Sequence, residues 1–247
     1  MITQDDSKIV ELTIENVSRI HFEGGSILKT SRANPTKKPE DLKKCVEQLK
    51  KYGVSLLVTI GGDDTAYSSM SISKAADNSI RVCHVPKTID NDLPLPNGTP
   101  TFGYSTAREV GASIIHNLMT DAQTASRYFI VIAMGRQAGH LALGIGKSAG
   151  STLTLIPEEF TSGVTIKKIV DLIEASIIKR LHLGKDHGVI ILAEGLLERV
   201  KPEELAQAFG DQVKYDAHDH IMLAELDFGK LIRDEMRQRV QKRVHHT

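Results

Sequence analysis

Cysteine is scarce in this sequence. Cys45 and Cys83 are its only two, too few for a disulfide framework and in keeping with a reducing cytoplasm. Cys45 falls on the apolar side of a predicted helix and Cys83 in a predicted strand, so both are expected to be core residues. Net charge is also missing. The 31 Lys+Arg residues are matched by 31 Asp+Glu, which argues against nucleic acid or an anionic membrane as partner and makes any phosphate recognition a local affair. No apolar run is long: "YFIVIAM" at 128–134 falls far short of a bilayer span, so no membrane association is expected. The opening "MITQDDSKIV" is acidic and has no apolar core, so a signal peptide is not expected. Without secretion, the glycosylation-like triplets at Asn16 and Asn97 carry no weight. Internal repeats and low-complexity linkers are absent too.

What remains is an ordinary globular composition, 40% apolar and 25% charged, on a chain of 247 residues, enough for one large α/β domain or two small ones. "PEDLKKCVEQLKKYG" at 39–53 predicts a helix: Pro39 suits its first turn, Glu40 and Asp41 its positive end, and Gly53 its stop. "VSLLVTI" at 54–60 reads as a strand buried on both faces, and "IRVCHVP" at 80–86 as a second strand ended by Pro86. Helices are expected near 65–76 and over 105–126, then a strand at 128–134 and a helix within "RQAGHLALGIGKSAG". The strand "STLTLIP" follows, with an amphipathic helix at 165–181, the strand "HGVIILAEG" at 187–195, and helices at 202–208 and 227–243. Strands alternating with helices predict a mostly parallel α/β architecture. The Pro/Gly-rich "LPLPNGTPTFG" at 93–103 is the expected hinge.

In such sheets ligands bind beyond the carboxyl ends of the strands. The residues expected at those ends are Gly61, Gly62, Asp63 and Asp64; Pro86 through Asp92; Met134, Gly135 and Arg136; Pro157, Glu158 and Glu159; and Glu194 with Gly195. In "GGDDT", two glycines before a helix would let backbone N–H groups face phosphate oxygens, the alternative being a plain turn capped by an aspartate. In "PKTIDND", one carboxylate could take a proton from an attacking hydroxyl while a second positions that hydroxyl or binds Mg²⁺ through water. The alternative there is an Asx-rich turn. Arg32, Arg127 and Arg136 are candidate phosphate clamps, and Glu194 a partner for sugar hydroxyls or a cap. Asp216, His218, Asp219 and His220 match no zinc spacing and read as an exposed turn, and the mixed-sign C-terminal segment as a solvated helix.

Taken together, "GGDDT", "PKTIDND", "MGRQAGHLALG", "PEEF" and "ILAEG", with "GGSILKTSRANP" upstream, resemble the 6-phosphofructokinase family over essentially the whole chain. The resemblance implies two Rossmann-like three-layer lobes, a donor lobe over 1–103 and a fructose 6-phosphate lobe over 104–247. It implies that Asp90 is the base toward the sugar C1 hydroxyl, that Asp92 supports it, and that Asp63 holds Mg²⁺. It further implies that Arg32 stabilises the phosphoryl group in flight, and that Thr88, Met134, Gly135, Arg136 and Glu194 contact the sugar phosphate. Arg127 would reach into a neighbouring subunit, so a homo-oligomer, dimer or tetramer, is implied. Members that use ATP typically have glycine where this chain has Asp64. Asp64 with Lys87 therefore looks like the pyrophosphate-using branch: the carboxylate would repel a nucleotide's α-phosphate and the ammonium would hold the compact anion.

The chain departs from the family pattern in three respects. It lacks the usual opening strand and glycine loop, it stops before the distal sugar-phosphate residues, and it has Lys29 where many members have glycine. A partial chain is therefore expected. Pyrophosphate-dependent phosphoryl transfer to fructose 6-phosphate in the cytoplasm is the leading expectation. The alternatives are the same reaction with ATP, or a non-catalytic fragment that completes its sheet with another chain. A NAD-kinase-like protein would share the glycine turn but leaves "TIDND" and "MGR" without a task.

Overall fold

The computed structural model describes residues 7, 9–31, 33–214 and 221–244. Its contacts group the chain into two compact units, Met1–Pro86 and Lys87–Thr247.

After the short helix α1 (Ile14–Val17), the first unit contains helix α2 (Pro39–Lys51), strand β1 (Leu56–Gly61), helix α3 (Asp63–Ala75) and most of strand β2 (Arg81–Thr88). α2 begins and ends where its sequence signals predicted, with Pro39 in the first turn and Gly53 in the left-handed region at φ 66°. β1 and β2 pair in parallel, from Leu56 opposite Arg81 to Gly61 opposite Pro86. The core consists of Val46, Leu49, Ile72, Ala76 and Ile80, with Leu57 and Val82 packed against it.

Burial along both strands alternates, which corrects the expectation that β1 is covered on both faces. Leu57 and Val82 point to the helices, whereas Leu56, Val58 and Ile60 are each about half exposed (50–54%). Both strand faces are apolar, and an apolar run reads the same whether one layer or two covers it. Cys83 shares the open face and is exposed, so the core role expected for it is also corrected; Cys45 is buried as expected. Nor does Pro86 end its strand. Pairing with β1 stops at Pro86, and Lys87 and Thr88 continue β2 into the second unit. A residue without an N–H is tolerated at that change of partner.

In the second unit, Lys87 and Thr88 pair in parallel with β3 (Phe102–Gly103). Then follow α4 (Tyr104–Thr124), β4 (Tyr128–Ala133), α5 (His140–Ala149), β5 (Leu153–Leu155), α6 (Ile166–His182), β6 (Gly188–Ala193), α7 (Leu196–Arg199), α8 (Pro202–Phe209) and α9 (Phe228–Val244). β6 lies between β4 and β5, all parallel, and is buried along its whole length. α4 and α5 cover one face through Ala112, Ile115, Leu141 and Ile145 against Val189, Ile191 and Ala193. On the other face α6, α8 and α9 pack Ile169, Ile173, Leu205 and Ile232 around Ile190 and Leu192. Each fully buried Ile or Leu contributes about 1.5–3 kcal/mol, so this sheet is the stable platform of the unit. Here the expectation of helices on both faces holds.

Residues 87–103 group with this second unit, whereas the sequence set the lobe boundary at 103. Thr101 is buried, its hydroxyl donates to the Thr88 carbonyl at 2.7 Å, and its N–H donates to Asn91 Oδ1 at 2.9 Å. β5 is shorter than the predicted segment because Pro157 opens a 3₁₀ turn, Pro157–Glu159.

Candidate active site

The carboxyl ends of the strands carry most of the suspected residues. In the first unit β1 ends at Gly61, and Gly62 is the N-cap of α3 without any side-chain cap. Asp63 and Asp64 therefore stand in the first helical turn, both exposed, rather than capping it. The two glycines do different work. A Cβ on Gly61 would collide with the Thr65 side chain, so Gly61 is required by packing. A Cβ on Gly62 would meet nothing within 4 Å, which leaves open space in front of a helix end whose first amides have no intrahelical acceptor. Among the described residues no group of three or more His, Cys, Asp or Glu is placed to share a metal ion. The donor set fits a hard, hydrated cation, since Mg²⁺ is commonly held by one or two carboxylates plus substrate phosphates. Upstream, Lys29 occupies the left-handed region at φ 59°, a reason for glycine to be common at this position in the family resembled. Arg32 lies outside the described residues, as do Asp216, His218, Asp219 and His220.

In the second unit the segment after β2 is a tied turn. Asp90 N–H donates to Thr88 Oγ1 at 3.1 Å. Asn91 is left-handed at φ 54°, and its Oδ1 accepts from Thr101. Asp90 is half-buried, Asp92 and Lys87 exposed. The local bond in this turn is the one from Asp90 N–H to the Thr88 hydroxyl, whereas the Asn91 side chain serves the backbone of Thr101, ten residues on, so it does not form the Asx-turn considered as the alternative.

After β4 the chain makes the loop Met134–Gly139. Gly135 sits at φ 128°, where a Cβ would lie 2.6 Å from the Ala138 carbonyl oxygen, so only glycine fits. Two carboxylates grip this loop. Glu194, at the end of β6 and 8% exposed, accepts from Gly135 N–H at 3.1 Å. Glu158, in the turn after β5, accepts from Gly139 N–H at 2.8 Å. Burial raises the Glu194 carboxyl above its ordinary value, and the Gly135 N–H and the Arg136 charge oppose that rise. Arg136 is half-buried and Met134 exposed. The tie to Glu158 was not anticipated from sequence, although "PEE" directly after a strand was a visible signal. Glu194 also borders a cavity of about 420 Å³ lined by Ile132, Leu223, Glu225, Asp227 and Phe228, a wall that sequence reasoning left out.

The loops after β2 and β4 meet directly: His140, the first residue of α5, places Nδ1 2.7 Å from the Asn91 carbonyl oxygen. The second unit therefore gathers the turn Thr88–Asp92, the loop Met134–Gly139 and Glu194 on one edge. Arg127 is not among them. It precedes β4, at the opposite end of a six-residue strand, roughly 20 Å away at the usual rise per residue.

The family model described as Phosphofructokinase matches residues 1–239. The chain is 74% identical over 251 residues to a pyrophosphate–fructose 6-phosphate 1-phosphotransferase of Naegleria fowleri, covering 98% of this chain and 57% of that protein. It is 50% identical over 235 residues to the Thermotoga maritima protein of the same name, covering 95% of this chain and 56% of that protein. Among solved structures, the phosphofructokinase of Saccharomyces cerevisiae superposes with a TM-score of 0.60 at 25% identity, covering 69% of this chain and 25% of the other. The chain thus spans little more than half the length of the curated relatives it matches.

Proposed function

The chain belongs to the phosphofructokinase family, and from that membership we propose that it serves phosphoryl transfer from pyrophosphate to fructose 6-phosphate, giving fructose 1,6-bisphosphate and phosphate. The observation that supports this reading is the contact of His140 Nδ1 with the Asn91 carbonyl oxygen, which joins the turn containing Asp90 to the helix that follows the Arg136 loop. In this reading Asp90 takes the proton of the sugar C1 hydroxyl as that oxygen attacks phosphorus, and the bridging P–O bond breaks to release phosphate. Asp92 steadies the base; Thr88, Met134, Gly135, Arg136 and Glu194 hold the sugar phosphate. Gly61, Gly62, Asp64 and Lys87 are assigned to the donor, and Arg32 to stabilising the moving phosphoryl group. Mg²⁺, when bound, neutralises charge on the donor oxygens, and Asp63 is the residue that would hold it.

The functional division places donor binding in 1–103 and sugar phosphate binding in 104–247, so that 87–103 serves the first while packing with the second unit. Arg127, exposed and remote from the edge, is assigned to a neighbouring copy in a homo-oligomer acting in the cytoplasm. Among the described residues no helix is long and apolar enough to cross a membrane.

The test is a coupled assay with fructose 6-phosphate and either donor. Turnover with pyrophosphate that falls by at least about 10²-fold in Asp90→Asn supports the reading, and turnover with ATP alone refutes the donor assignment. A second reading, a partial chain that acts as an assembly partner, is favoured by the exposed apolar face of Leu56, Val58, Ile60 and Val85. Sugar-phosphate binding without turnover by either donor would select it.

A further inference from the structure

His140 is exposed, with 46% of its side chain open to solvent, so its ring adds little to the core. Its polar contacts are nevertheless specific. A carbonyl oxygen only accepts, so the 2.7 Å contact with Asn91 O puts the proton on Nδ1 and fixes the tautomer. Nε2 faces Glu158, 4.0 Å from the same Oε1 that accepts from Gly139 N–H. At the other end Asn91 holds a left-handed conformation between Asp90 and Asp92, and such a conformation persists only where surroundings enforce it. The enforcement is visible: the Asn91 side chain is bonded to Thr101 and its carbonyl to His140.

We infer that His140 is a positioning residue for phosphoryl transfer: its Nδ1–H ties the turn carrying Asp90 to the loop carrying Arg136 and so sets the place of the base relative to the sugar phosphate. The inference rests on the reading of Asp90 as the base. His140 itself has no assigned contact with the reacting atoms. A merely structural residue would be replaced equally well or badly by any polar side chain of similar size, whereas a tether through Nδ1 distinguishes two amides. Asparagine places its Nδ2 donor near the position of Nδ1, and glutamine places its donor near Nε2.

The experiment compares the full chain with His140→Asn, His140→Gln and His140→Ala, by steady-state kinetics and by amide hydrogen exchange at residues 89–92. The Gln and Ala variants are expected to lose about 10–100-fold in kcat, the cost of a base displaced by about 1 Å, with faster exchange in the turn. The Asn variant is expected to recover most of both, and the KM for pyrophosphate to stay within about threefold throughout. A Gln variant indistinguishable from the parent, or an Asn variant as impaired as Ala, overturns the inference, as does faster exchange without a fall in kcat. If the unsubstituted chain turns over neither donor, the functional reading fails separately. Exchange then decides the tether: equal exchange in all four proteins overturns it, and protection in the parent and the Asn variant alone upholds it.

Discussion

Replacing Gly135 by alanine tests whether the loop after β4 is held as rigidly as its contacts imply. At φ 128° an L residue is strained, at a cost of about 1–3 kcal/mol. The new Cβ would also lie 2.6 Å from the Ala138 carbonyl oxygen, inside the 3.0 Å that real Cβ atoms respect, so the loop has to move by a few tenths of an ångström. It cannot move freely, because Glu194 holds Gly135 N–H at one end and Glu158 holds Gly139 N–H at the other. Weakening one charge-assisted bond adds about 1.5–3 kcal/mol, with Glu194 the larger share because Glu158 is part-exposed. Strain and a weakened bond together give about 2.5–6 kcal/mol, which for a unit of this size lowers Tm by roughly 5–24 °C. Gly184→Ala is the control. Gly184 is also left-handed, at φ 73°, but a Cβ there meets nothing within 4 Å, so only about 1–2 kcal/mol is expected. Thermal melts followed by circular dichroism compare the two. Equal losses, or a Gly135→Ala protein that melts with the parent, would refute the argument that this loop is clamped.

Glu194→Gln keeps an acceptor for Gly135 N–H but removes a carboxyl whose pKa burial has raised. Such an acid destabilises the folded state when it ionises: the penalty is absent below the unfolded value near pH 4, grows as pH rises through the folded value, and is full above it. The Gln variant should therefore gain on the parent as pH rises above about 4 in urea unfolding, and a difference flat in pH contradicts the burial argument. Asp64→Gly is expected to relax exclusion of ATP if the exposed first-turn carboxylate has the proposed role of repelling a nucleotide's α-phosphate; steady-state assays showing unchanged ATP use would dismiss that role. Thiol labelling of the native chain should find one fast cysteine, exposed Cys83, and one slow one, Cys45, whose thiol burial holds above its ordinary value. Two equally slow thiols would mean that the open face of β1 and β2 is covered in solution.

The helices and strands were legible because their signals are local. Pro39 and Gly53 bracket α2, and the apolar stripes of α2 and α6 repeat at helical spacing, so boundaries fall within a few residues of expectation. The strand-end positions of Gly61 to Asp64, Thr88 to Asp92, Met134 to Arg136 and Glu194 were legible because Gly, Asp, Glu and Arg interrupt apolar runs there. The two misreadings of burial share one cause. Whether Val58 and Cys83 are covered depends on what packs beyond the strand, and the run "VSLLVTI" is equally apolar in both cases.

Composition and pattern by themselves determined an α/β chain of parallel strands, the order of its elements, and the carboxylates and arginines at their ends, because each follows from residues near one another in sequence. Only the tertiary structure decided which groups serve one another. That Glu158 grips Gly139, Glu194 grips Gly135, and His140 reaches across 49 positions to Asn91 depends on strand order β4–β6–β5 and on a left-handed turn. Hydrogen bonds between distant segments leave no periodic trace in the residues that make them, so folding alone brings them into view.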